Sequence, residues 1–118
     1  MLHEFWHRPA WVTASFPVDV YEDKDVLVIR AELPGMVKDD IDISFEGDLI
    51  TIKADKKVEK LEGITAYTCE RYYGTLSRTL SLPFPVDTDK VSATFDNGLL
   101  EVRLPKAEEA KAKRISIK

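Results

Sequence analysis

One cysteine, two histidines, five glycines and six prolines among 118 residues leave several protein classes without their raw material. A lone Cys69 cannot close an internal disulfide, so a stapled secreted scaffold is excluded and a reducing cytoplasm is the expected compartment. Cys69 also has no histidine near it in sequence, which favours a structural thiol over a nucleophile. No apolar run approaches the ~20 residues of a membrane-spanning helix, and the opening MLHEFWHRPAW lacks the long apolar segment of a secretory signal. A basic excess is missing as well: the formal net charge is -4, which argues against a nucleic-acid partner. What the chain has is 44% hydrophobic and 32% charged residues, enough for one core under a solvated surface.

The two histidines sit in HEFWH, residues 3–7. On a helix, H-E-x-x-H binds zinc through its histidines and uses the glutamate as general base. Here Pro9 cuts any helix short and no third histidine exists to complete a ligand set. The match of His3, Glu4 and His7 is an accident of composition, and neither a metal site nor catalysis is expected.

From residue 17 onward the hydrophobic period is two. Leu27, Ile29, Ala31 and Leu33 alternate with polar Arg30 and Glu32; Ile41, Ile43 and Phe45 alternate with Asp42, Ser44 and Glu46. The same pattern runs through Ile50, Ile52 and Ala54, through Val91, Ala93 and Phe95, and through Leu100, Val102 and Leu104. Alternation over short runs indicates half-buried strands. Asn97-Gly98 between two runs supplies the positive φ angles of a tight hairpin, and Gly47-Asp48 separates another pair. Seven or so short strands with tight turns and no long helix predict one all-β domain, an antiparallel immunoglobulin-like β-sandwich.

Three segments fit that sandwich poorly. Residues 1–16 carry Phe5, Trp6, Trp11 and Phe16 with no clear period and read as a short aromatic N-terminal arm. Residues 56–73, KKVEKLEGITAYTCERYY, form a charged excursion with a strand-like piece near Ile64 to Cys69. Residues 106–118 are a polar extension that ends in Ile115-Ser116-Ile117, an apolar pair placed where it meets water unless it docks on something. Arg78 shares a strand face with Leu76, Leu80 and Leu82, a register that suits either snorkelling at a sheet edge or burial at an interface, with the interface favoured.

Over residues 17–118 the chain resembles a small heat-shock protein of the alpha-crystallin family. The resemblance rests on PVDVYEDKDVLVIRAELPGM, then GTLSRTLSLP, then ATFDNGLLEVRLPK with its A-x-x-x-N-G-L-L core, then the terminal I-x-I. It implies an alpha-crystallin domain over residues 17–105 and an ATP-independent holdase with no active site and no cofactor. Its partners are partly unfolded client proteins and further copies of itself, as a homo-dimer that assembles into a larger homo-oligomer. The resemblance also assigns residues. The excursion exchanges into a partner subunit, with Tyr67, Cys69, Glu70, Arg78, Val18 and Val20 at the dimer interface. The tail residues Ile115 and Ile117 dock in a groove of another dimer formed by Ile41, Ile43, Phe45, Val91, Ala93 and Phe95, which also serves clients. The arm aromatics Phe5, Trp6, Trp11 and Phe16 capture clients.

Two other readings are weaker. A co-chaperone sandwich for a folded chaperone partner lacks the I-x-I tail and the exchange excursion. A secreted adhesion module is expected to bring a signal and often a cysteine pair.

Overall fold

The computed structural model describes residues 15–57, 61–112 and 115–118. Seven strands form among them: β1 (Val18–Asp23), β2 (Val26–Glu32), β3 (Ile41–Glu46), β4 (Leu49–Lys56), β5 (Gly74–Ser81), β6 (Ser92–Asp96) and β7 (Leu99–Pro105). All pairings are antiparallel. A four-stranded sheet runs β1-β2-β7-β6 and a three-stranded sheet runs β3-β4-β5, packed as a β-sandwich.

The register follows from the alternation. Ile29 pairs with Val102 and Ala31 with Leu100, while Ile43, Ile52 and Arg78 line up across the second sheet. Every apolar residue of this phase points between the sheets. A one-residue slip would turn the whole set to water, so burial fixes the pairing. The central strands carry the core: Ile29, Val102, Leu104, Ile50 and Ile52 are buried. Each such side chain contributes about 1.5–3 kcal/mol relative to exposure.

Turn chemistry agrees at Asn97-Gly98, where φ values of 52° and 77° close the β6–β7 hairpin. Gly98 has a second constraint. Its carbonyl accepts the Leu33 amide at 2.7 Å, and a Cβ there would lie 3.4 Å from the Pro34 backbone.

The sheets are unequal in width, and this shapes the surface. Val20 pairs with the buried Ile29 and belongs to the inward-facing phase, yet it is 45% exposed. The three-stranded sheet does not reach far enough to cover β1. Phe16, grouped with the arm on sequence, is corrected here: it is 4% exposed and belongs to the core cluster. It continues the Val18, Val20 phase backward by two residues, so the domain begins before residue 17 and this ring is not offered to clients. Phe5, Trp6 and Trp11, and the HEFWH segment, lie outside the described residues.

Candidate assembly and client-binding surfaces

A sandwich exposes apolar inner surface wherever two edge strands face each other without a side wall. Here β3 and β6 are such edges. Ile41, Ile43 and Phe45 project inward from β3 and are half-buried; Val91, just before β6, and Phe95 are half-buried too. Ala93 pairs with the buried Val102 but remains exposed, because a methyl group is too short to close the gap.

Two cavities result, one after the other along β3. A cavity of about 140 Å³ is lined by Ile41, Ile43, Ala93, Phe95 and Leu100, with Lys38 at its rim. A larger one of about 400 Å³ is lined by Phe45, Leu82, Phe84 and Val86 among others. Ile43 and Phe45 are two residues apart on one strand, a separation of roughly 6.6 Å. Ile115 and Ile117 have the same i, i+2 spacing, and within the single chain they are 89% and 98% exposed. The structure therefore brings together five of the six groove residues expected from sequence; Val91 packs on the core instead of lining either cavity. Leu82, Phe84 and Val86 were not expected. Their apolar alternation in LPFPV was visible, but the two interleaved prolines, Pro83 and Pro85, disguise it as a plain breaker.

At the opposite edge, β1 lies open on one side, with Val20 uncovered. Residues 61–73 form no strand within the single chain, although a strand-like piece is predicted near Ile64 to Cys69. A strand needs a ladder partner, and none of the described residues supplies one. Tyr67 is 91% exposed, Glu70 is exposed and Cys69 is half-buried. The base of the excursion is braced by Tyr73, with the Lys56 ammonium 5.7 Å and the Arg71 guanidinium 5.4 Å from its ring centroid.

Arg78 sits on the inner face beside Leu76 and Leu80, and its Nη1 donates a 3.1 Å hydrogen bond to the Phe16 carbonyl. Arg78 is half-buried, and its polar partner lies inside the chain. Glu70 has no ion-pair partner among the described residues. On the outer face, Arg30 donates to Glu101 at 2.9 Å, and that hydrogen bond is the main reason its pKa is raised.

Among the described residues, no group of three or more His, Cys, Asp or Glu side chains is placed to hold a metal ion. No helix there is long and apolar enough to cross a membrane.

Comparison with known proteins agrees with this geometry. The Hsp20/alpha crystallin family pattern matches residues 19–118. Heat shock protein 16 of Schizosaccharomyces pombe is 39% identical over 106 residues, spanning 86% of this chain and 73% of the relative. Matches to two Rickettsia felis small heat shock proteins, C4 and C2, span 61% and 66% of those relatives' lengths. Among solved structures, heat shock protein 16.0 from S. pombe superposes with a TM-score of 0.72 at 37% identity, covering 89% of this chain and 99% of that one. A small heat-shock protein from Xylella fastidiosa, described as having a distinct high order structure, gives 0.69 at 28% identity, covering 91% and 99%.

Proposed function

This chain belongs to the Hsp20/alpha crystallin family, and from that premise we propose that it is a molecular chaperone of the holdase type. It binds partly unfolded proteins without ATP and keeps them from associating with one another. A protein that binds the unfolded side of an equilibrium lowers the free concentration of the species that aggregates. Binding, not catalysis, is the activity, and the expected setting is the cytoplasm.

The observation that carries this reading is the pairing of an exposed Ile115/Ile117 tail with two consecutive apolar cavities at matching spacing. A tail from one subunit laid along β3 of another would place one isoleucine in each cavity, a form of strand addition. The same cavities, once vacated, offer apolar surface to a client. The second contact in the proposal is strand exchange. Residues 64–69 of one subunit lie along β1 of its partner, covering Val20 and supplying the missing ladder. Glu70 then comes near the partner's inner edge, where Arg78 has four further N–H donors available beyond polar contact with Phe16.

Heating a model client with stoichiometric chain, without ATP, tests the reading. Light scattering of the client should fall. Unchanged scattering from a preparation shown to be assembled would refute it.

A further inference from the structure

The larger cavity owes one wall to Phe84, and Phe84 has an unexpected neighbour. The Lys106 ammonium lies 4.5 Å from the centroid of that ring. The same nitrogen is 2.9 Å from Glu22 Oε2 on β1 and 3.6 Å from Asp25 Oδ1 in the β1–β2 turn. The Lys106 side chain is only 14% exposed. Three segments distant in sequence therefore meet at one ammonium: the end of β1, the loop between β5 and β6, and the first residue after β7.

The backbone holds this lysine in place. Its amide donates to the Asp25 carbonyl at 2.8 Å, and the residue forms an isolated antiparallel bridge with Val86. On either side, Asp87 N donates to Pro105 O at 2.8 Å and Ala107 N donates to Pro85 O at 3.0 Å. A lysine normally keeps its ammonium in water on a flexible stem. Here both carboxylates pull it inward over an aromatic face, where a partly desolvated cation is attracted by the ring quadrupole.

We infer that Lys106 is a positioning residue for tail docking: by fixing the Phe84 ring against the end of β1, it keeps the larger cavity in the shape that receives an isoleucine. The inference rests on the tail-docking reading above and adds the side chain that sets the groove's geometry. It also ties the groove to β1, so the two assembly surfaces share one ionic link. Phe84 alone could lean into the cavity or away from it, since it is packed on one side by core and open on the other.

The test uses the full chain carrying Ile115→Ala and Ile117→Ala, which frees the groove, and a fluorescently labelled peptide of residues 111–118 read by anisotropy. Adding Lys106→Met, which keeps the stem but removes the charge, should weaken peptide binding by roughly fivefold or more. Lys106→Arg should restore most of it, which a loss of general stability would not predict. Circular dichroism should show the sandwich intact in both. If Lys106→Met does not fold, Glu22→Gln, which leaves the lysine in place, should weaken binding in the same direction. Peptide affinity within twofold of the parent in a folded Lys106→Met chain overturns the role of Lys106. A peptide that fails to bind even with Lys106 present overturns tail docking itself, and the lysine's role with it.

Discussion

Arg78 reaches across the sandwich from β5 to hold the carbonyl of Phe16, at 3.1 Å, so the residue just ahead of β1 is fastened to the far sheet by its backbone as well as its ring. The bond makes Phe16 part of the domain's stability rather than part of a loose arm.

Phe16→Ala should therefore destabilise the fold by about 3–5 kcal/mol, the usual cost of emptying a buried aromatic site. Urea unfolding measures it. A variant with unchanged stability but weaker client protection would return Phe16 to the arm.

The tail makes the opposite prediction. Ile115 and Ile117 touch little within their own chain, so replacing both with Ala should leave the sandwich folded. Two docked isoleucines contribute about 3–6 kcal/mol, and ordering each linker residue costs about 1–2 kcal/mol. The weak remainder is multiplied around a closed assembly. The double variant should run as dimers on size-exclusion chromatography with light scattering; a retained parent mass would mean the tail does not link dimers.

Strand exchange is tested at Thr65. Proline there removes an amide from the exchanged ladder and should yield folded monomers in the ultracentrifuge. An unchanged dimer would place the dimer contact elsewhere.

Alkaline pH separates the Lys106 link from the rest of the fold. Its hydrogen bond to Glu22, aided by Glu22 and Asp25 charges, raises its pKa above the ordinary value near 10.5. A folded-state pKa raised in this way gives stability that is complete below the unfolded value and lost as pH climbs through the folded one. The difference in urea midpoint between the parent and Lys106→Met should thus be present at pH 8 and shrink at pH 11. A difference that stays constant over that range would mean the methionine acts through packing alone.

Much of this was legible in the sequence because alternation and burial are the same fact seen twice. The strands around Ile29, Ile52 and Val102 follow from period two, and the β6–β7 turn follows from Asn97-Gly98. The β1–β2 turn was not legible. Lys24 and Asp25 take φ values of 49° and 65° without a glycine, and a lysine gives no hint of the left-handed region. Phe16 was misplaced because aromatic density near it masked a phase that Val18 and Val20 carry on. The cavities and the Lys106 cluster lie beyond sequence reading for another reason. They arise where remote segments converge, and no local pattern records that Glu22, Phe84 and Lys106 are neighbours.

A four-stranded sheet laid over a three-stranded one is an unfinished object. Its bare inner strip at Val20 and the open rim of β1 leave apolar surface and ladder groups uncovered. Charge along that rim, from Asp19, Glu22, Asp23 and Lys24, discourages indiscriminate stacking without closing the gap. If subunits cover this strip for one another by the proposed strand exchange, dilution acts on the fold in the same direction as heat, since both leave more subunits alone with their uncovered strip. Its melting temperature should climb with protein concentration, and a thinly expressed chain would be at once more adhesive and more short-lived than an abundant one.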